Sequence, residues 1–333
     1  MTTTSNPLKI GILSFAHGHA QSYASEIAAR RGATLAGVWD ADAERGRAMA
    51  ERYATTFYPI EAELLALGLD GVVVASENIH HRRLTELAAD SGVKAVVSEK
   101  PLATTLEDAR AMIDYCAARG VKLATAFPCR HSPAFQRLRA QVEAGALGDI
   151  LAVRGTNRGT MPGGWFIDLP LSGGGAVIDH TVHVADLLWL LLGKEATEVH
   201  AEIGNGFYHE GYDDTGFLTI GYEGGVFATL DTSWSRPKTF PTWGDVTLQV
   251  VGTSGVMDLD MFGQQLEHYE DATGRVTWPG WGSSLDGALV DGFLKLCAGE
   301  DAPDIATGED GLRALAIALA AYRAAEAKQV VTV

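Results

Sequence analysis

Between Lys9 and Phe127 short, apolar, β-rich runs alternate with longer amphipathic stretches, and that rhythm admits few folds. "KIGILSF" leads into "HAQSYASEIAARRG", "ATLAGVWD" into "DAERGRAMAERYA", and "GVVVAS" into "HHRRLTELAADSG". "KAVVSE" then leads into "TLEDARAMIDYCAARG", and "VKLATAF" closes the series. Apolar runs of this kind are buried on both faces, and helical crossovers between them imply a parallel sheet covered by helices. Gly32, Gly92 and Gly120 stand where left-handed C-caps would end three of the helices. The expectation is an α/β fold, with a doubly wound Rossmann domain of the dinucleotide-binding kind over residues 1–128.

From residue 129 to 333 the pattern is different. A helix ("PAFQRLRAQVEAGALG") is followed by a strand, a glycine-rich loop and a long apolar helix that ends near Gly193. Long strands come next: "TEVHAEIG", "DTGFLTIGYEG", "GVFATLDTSWSR", "DVTLQVVGTSG" and "GVMDLDMF". Glu-Gly-Gly and Thr-Ser-Gly read as hairpin turns between them. Helices near 285–298 and 308–327 are expected to close this C-terminal α+β domain, which carries a large, mostly antiparallel open sheet. Such a sheet leaves one face its own helices need not cover, so a homodimer or homotetramer formed through it is expected.

Composition narrows the partners. A chain of 333 residues with 47% apolar content buries a sizeable core in two domains. Its net charge of −16, without a basic stripe, argues against nucleic acid and against an anionic membrane surface. A small anionic ligand is not excluded, because a local Lys or Arg overrides the overall field. No basic segment leads into an apolar one at the N-terminus, so a secretory signal is not expected. The apolar run "VADLLWLLLG" is short of a membrane span and carries Asp186, and the expected location is cytoplasmic. Cys116, Cys129 and Cys297 are odd in number and widely spaced, which speaks against disulfides and thiolate zinc. His17-x-His19 lacks nearby acidic or thiol partners, so no metal is expected.

Ligands of a doubly wound sheet bind outside the carboxyl ends of its strands. After the first strand comes "SFAHGHA", where a G-x-G-x-x-G loop would use glycines to bring backbone against pyrophosphate. Ser14, Ala16 and His19 hold those places, with Gly18 beside the last. The first two remain small, and a helix N-terminus still offers N–H groups to phosphate. His17 and His19 are expected at the cofactor's edge. Asp40 follows the second strand, roughly 20 residues beyond the loop, where a carboxylate accepts from ribose hydroxyls and repels a 2′-phosphate. That favours NAD over NADP, the alternative being that Asp40 or Asp42 merely caps the next helix. "SENIHH" and "SEKPLA" follow two further strands, and Glu99-Lys100-Pro101 puts a carboxylate, a cation and a stiff backbone at the sheet's mouth. In "SGGGAVIDHTVHVADLLWLLLG", Asp179 and His183 are four apart and share a helix face, whereas His180 points elsewhere.

These segments together resemble the Gfo/Idh/MocA family of NAD(P)-dependent sugar and polyol dehydrogenases, over nearly the whole chain. "EKPLA" is similar to its E-K-P motif, "SENIHH" through Asn78 and His81 to T-P-N-x-x-H, and "CRHSPAF" at Arg130 to R-F-x-P-A. "GALGDI" resembles the link between domains, and "GGGAVIDHTVH" the helix G-G-G-x-x-x-D-x-x-x-H. The resemblance implies a catalytic set of Lys100, Asp179 and His183. Lys100 would polarise the reacting oxygen, across a Lys100-Pro101 bond that can be cis. His183 would be the general base or acid, and Asp179 would position the substrate or orient His183. Hydride leaves carbon while a proton leaves oxygen, so one base and one cation suffice. The cofactor-facing set becomes Ser14, Phe15, Ala16, His17, Gly18, His19, Asp40, Ser76, Asn78, His81, Glu99, Lys100, Pro101 and Arg130. Substrate contacts are expected from Lys100, Trp165, Asp179, His183 and Trp234. Trp165 and Phe166 would stack on a sugar, although core packing explains both equally well. Trp234, Arg236 and Lys238 would meet a carboxylate or phosphate if they face the pocket.

The chain departs from the family in its first loop and at Glu77, where the family has Pro. Three functions remain open. One is NAD-dependent oxidation of a sugar, inositol or related polyol. A second is transient oxidation that assists elimination or hydrolysis. The third is a non-catalytic NAD and sugar sensor, against which the joint presence of Lys100, Asp179 and His183 argues.

Overall fold

The computed structural model describes residues 6–240, 242–263, 266–277 and 282–333. In chain order the first stretch contains β1 (Leu8–Leu13), α1 (His19–Ala28), β2 (Ala33–Trp39), α2 (Ala43–Arg52) and α3 (Glu61–Leu65). β3 (Gly71–Val74), α4 (His81–Asp90), β4 (Ala95–Ser98), α5 (Leu106–Ala118) and β5 (Lys122–Thr125) complete it. There follow α6 (Pro133–Glu143), β6 (Ile150–Thr156), α7 (Leu169–Ser172), α8 (Ala176–Leu192), β7 (Ala196–Gly204), β8 (Thr215–Tyr222) and β9 (Phe227–Asp231). Next are β10 (Thr247–Gly252), β11 (Gly255–Asp260) and a small hairpin of β12 (His268–Glu270) and β13 (Arg275–Thr277). α9 (Leu285–Ala298), α10 (Gly308–Ala327) and β14 (Val331–Thr332) end the chain.

The chain divides into two compact units, Met1–Pro128 with Ser284–Leu312, and Cys129–Ser283 with Arg313–Val333. In the first, five strands pair in the order β2-β1-β3-β4-β5, all parallel. Every residue of β3 and β4 is buried, because both faces of the sheet are covered. Ile10, Ile12, Val73 and Val97 enter the core on one face, and Leu13, Val72, Val74 and Val96 the core on the other. Strand order reverses between β1 and β3, which makes the loops after these strands the natural ligand crevice.

One expectation needs correction here. Residues 129–333 do not form a single domain, because α9 packs in the first unit: its Leu289, Val290, Phe293 and Cys297 belong to the core beside Ile10 and Tyr23. Arg30 fixes it there, donating to Asp291 at 2.6 Å and to the Gly287 carbonyl at 2.7 Å. The predicted glycine caps hold at Gly92 and Gly120, with φ of 81° and 68°. α1 instead ends at Ala28, before Gly32.

The second unit is built on a seven-stranded sheet ordered β11-β10-β6-β9-β8-β7-β14. Only β6 and β9 run parallel. α8 lies against its inner face, and a Cβ on Gly155 or Gly216 would meet Val184 Cγ1 at 3.1 Å or Val177 Cγ2 at 2.4 Å. Residues Leu169–Leu192 are together long and apolar enough to cross a membrane, a longer stretch than the run at Val184–Gly193 suggests. Within the unit, however, 83% of that window is buried, as in the core helix of a globular domain. On the sheet's outer face, Val256, Phe227 and Phe217 are 54%, 48% and 59% exposed, on the same side as Thr219, Thr229 and Arg154.

Candidate active site

In the first unit the loop after β1 replaces glycine chemistry with side-chain hydrogen bonds. Ser14 takes φ 77°, the left-handed conformation that glycine adopts at no steric cost. Its hydroxyl offsets that strain, accepting from the Ala16 N–H at 3.1 Å and reaching the Asp40 carboxylate at 3.4 Å. The other loop amides are also engaged: Phe15 N–H donates to Asp40, His17 N–H to the Ala75 carbonyl, and His19 N–H to His17 Nδ1. Gly18, at the N-cap of α1, would have nothing within 4 Å of an added Cβ. A ligand phosphate thus has an open approach at the N-terminus of α1 through Gly18. Phe15 turns inward, 4% exposed and stacked on Tyr53 at 6.2 Å.

Asp40 stands at the end of β2 with a side chain that is 0% exposed. Arg45 of α2 grips both of its oxygens, at 2.8 and 2.6 Å, and the Phe15 and Asp42 N–H groups complete the set. The neighbouring Asp42, not Asp40, caps α2, accepting from Glu44 and Arg45 N–H. A carboxylate neutralised by arginine repels a 2′-phosphate less than a bare one, so Asp40 alone is weaker ground for choosing NAD than its position in the sequence suggests.

The loops after β3 and β4 are joined by His81. Its ring is fully buried between the Ser76 carbonyl (3.2 Å) and the Pro101 carbonyl (3.0 Å), and burial lowers its pKa to about 4. His81 is therefore a strut under the crevice, which corrects its expected place against the cofactor. Ser76 and Asn78 are buried beside it, at 1% and 4% exposure. The Lys100-Pro101 peptide is cis, and Lys100 is 4% exposed. Burial raises the pKa of Glu99 against the opposing charges of His19 and Lys100. Glu99 accepts from Tyr23 Oη at 2.6 Å and from the Lys100 N–H at 3.0 Å, and His17 Nδ1 lies 3.5 Å away. Burial lowers the His19 pKa, but the 3.2 Å hydrogen bond to Asp286 and the charge of Glu99 more than reverse this and raise it. His17 and His19 thus face carboxylates, and among the described residues no group of three or more His, Cys, Asp or Glu is placed to hold a metal.

In the second unit α8 begins where the glycine loop lets backbones touch. A Cβ on Gly175 would lie 2.0 Å from the Asp213 carbonyl oxygen. The Asp213 carboxylate accepts from the Gly175 and Val177 N–H groups, each at 2.8 Å, and from Tyr322 Oη at 2.9 Å. This clamp, with no helix-cap residue in the local sequence to announce it, fixes the helix that carries Asp179 and His183. The two are one turn apart, 7% and 5% exposed. Trp234 donates its indole N–H to Asp179 Oδ2 at 3.2 Å, and His180 Nε2 approaches the same oxygen at 3.2 Å. At 1% exposure Trp234 is a buried support that holds Asp179, which corrects its expected place as a direct substrate contact. Trp165 spends one face on Phe166, at 3.9 Å between centroids.

Arg130 also needs correction. Its guanidinium, in the second unit and 2% exposed, forms a two-pronged pair with Asp186 of α8, one arm at 3.0 Å. It braces the helix, a role its place in the sequence did not announce. Arg236, suggested for an anionic substrate group, is instead paired with Asp245, which Arg158 also grips.

Two family models match this architecture. Residues 9–127 match "Oxidoreductase family, NAD-binding Rossmann fold", and residues 135–258 match "GFO/IDH/MocA C-terminal domain". The chain belongs to the GFO/IDH/MocA oxidoreductase family. Among its relatives is a 1,5-anhydro-D-fructose reductase of Ensifer adhaerens, 30% identical over 310 residues and 90% of both chains. A D-glucoside 3-dehydrogenase of Escherichia coli (strain K12) is 33% identical over 252 residues, covering 70% of this chain and 72% of that one. A solved structure of a probable dehydrogenase from Thermotoga maritima superposes with a TM-score of 0.83, at 26% identity over 98% of each chain. As a GFO/IDH/MocA member the protein is an oxidoreductase whose cofactor is NAD, held by the first unit.

What sequence reasoning missed is mostly the support around the named residues. Tyr23, one turn from His19 on α1, had a visible signal in that spacing. Arg45, Asp213, Asp286 and Tyr322 had none, because their partners are set by tertiary packing.

Proposed function

We propose that this protein oxidises a secondary alcohol of a sugar, inositol or related polyol, or reduces the matching ketone, with Lys100, Asp179 and His183 as the catalytic set. The observation that carries the reading is the α8 pair: an acid and an imidazole one turn apart, nearly buried, with the acid held by the Trp234 indole. Membership of an oxidoreductase family and the sugar chemistry in the names of its relatives support it. NAD, when bound, accepts or returns the hydride. His183 takes the alcohol proton as hydride departs, and Asp179 orients the substrate hydroxyls or the imidazole. Lys100 steadies the developing oxyanion with its ammonium. Glu99 and His17 set the local field around the Lys100 backbone. The outer face of the seven-stranded sheet, with Phe217 and Phe227 exposed, is proposed to pair copies of the chain.

The test is a panel of polyols and sugars mixed with NAD, read by the absorbance of reduced nicotinamide. At least one is expected to turn over, and Lys100→Ala and His183→Ala are expected to lower kcat by about 10²–10⁴-fold. NAD binding with no turnover on any member would favour a sensor. Product formation without net reduced cofactor would favour transient oxidation.

A further inference from the structure

In the first unit Asp40 stands where the adenosine ribose of a dinucleotide is ordinarily read, yet its carboxylate has no capacity left for one. Its oxygens accept from the Phe15 N–H at 2.7 Å, the Asp42 N–H at 2.8 Å, and Arg45 Nε and Nη2 at 2.8 and 2.6 Å. The Ser14 hydroxyl adds a fifth contact at 3.4 Å. A carboxylate offers about four lone-pair directions, so all are taken. The side chain is buried outright, and the guanidinium balances its charge. The choice between a ribose 2′-hydroxyl and a 2′-phosphate must therefore rest on other groups at this end of the sheet.

Two such groups meet across β1, which lies between β2 and β3. Arg45 spends Nε and Nη2 on Asp40, which leaves Nη1, and its side chain is 30% exposed. Glu77, in the loop after β3, brings a carboxylate oxygen to 4.0 Å from Arg45 Nη2. That distance is an ion pair and too long for a hydrogen bond. Glu77 directly precedes the short turn Asn78–His80 but does not cap it. Its side chain is only 16% exposed, and it accepts no hydrogen bond from the described residues. A solvated surface charge does not explain a carboxylate so largely covered, and a structural one would have donors.

The charges decide the consequence. Asp40 and Arg45 cancel, so Glu77 is the carboxylate left uncompensated. Without it, the spare N–H groups of Arg45 would make a ready phosphate site, since a guanidinium suits phosphate oxygens. With it, a 2′-phosphate would have to share Arg45 with an anion already there. A neutral 2′-hydroxyl meets no such conflict.

We propose that Glu77 is the specificity-determining residue for the cofactor: by occupying the field of Arg45 it turns away a 2′-phosphate and selects NAD over NADP. It thereby takes the part that Asp40 holds by sequence position alone. The proposal rests on NAD as the cofactor of the first unit, not on the identity of the alcohol.

The test is titration of the full chain with NADH and with NADPH, without any polyol, read by the fluorescence of the bound reduced nicotinamide. The native chain is expected to bind NADH about tenfold or more tightly than NADPH, a difference that narrows as salt is added. Glu77→Gln keeps the side chain's length and removes its charge, and is expected to cut that ratio at least fivefold. Glu77→Lys is expected to bring the two cofactors to parity or to reverse the preference. A native chain without preference would overturn the proposal. So would a ratio that both variants leave unchanged, which would return the choice to Asp40. Because no polyol is present, failure of the catalytic reading leaves this result standing.

Discussion

Ser14 shows how a glycine position is held without glycine. A left-handed φ of 77° costs an L-residue about 1–2 kcal/mol, and the hydroxyl bonds to Ala16 and Asp40 return a comparable amount. Ser14→Ala keeps the strain and loses the bonds, so urea unfolding should show a loss of about 1–2 kcal/mol, whereas Ser14→Gly should be nearly neutral. Equal losses for both would refute this reading of the loop. His81 carries a pH signature. Its folded pKa is depressed to about 4 from the ordinary histidine value of 6.5, so folding favours the neutral ring. The associated stability is complete above pH 6.5 and is lost as pH falls through 4, about 3 kcal/mol in all. A His81→Gln variant should unfold less steeply over that window than the native chain. An unchanged acid limb would show that another group governs it. Residues such as Lys100 and His183 were legible because they sit in motifs at strand and helix ends. The surroundings of Asp40 were not, since Arg45 is recognisable as its partner only once α2 is docked.

At the scale of elements, α8 depends on contacts remote in sequence. The β–α alternation of the first unit was readable because burial on both sheet faces imposes it locally. The N-terminal clamp of α8 joins Gly175 to Asp213 and Tyr322, and its middle is tied to Arg130 through Asp186, 56 residues along the chain. No local pattern encodes such pairs, so neither the Asp186 partner of Arg130 nor the Asp179 partner of Trp234 is legible in the sequence. Asp186→Ala should leave the buried guanidinium without its main counter-charge and cost about 3–5 kcal/mol, read as a fall in melting temperature. A variant that melts like the parent would remove Arg130–Asp186 from the support of this helix.

For the whole molecule, the fold class and the division after residue 128 were visible as a change of rhythm. The return of α9 was not, because an amphipathic helix does not say which of two sheets it covers. Copies of the chain are expected to associate through the outer face of the seven-stranded sheet. Phe217→Asp with Phe227→Asp should lower the molar mass measured by light scattering while leaving circular dichroism unchanged. A native chain that is already monomeric would contradict that association. The proposed hydride exchange between a polyol carbinol and NAD can be followed with a substrate that the polyol panel identifies, deuterated at the carbinol carbon, by mass spectrometry of the cofactor. Deuterium should appear on the nicotinamide in step with ketone formation, and His183→Ala should abolish both. Cofactor that binds yet stays unlabelled, or a product that retains its deuterium, would contradict the account.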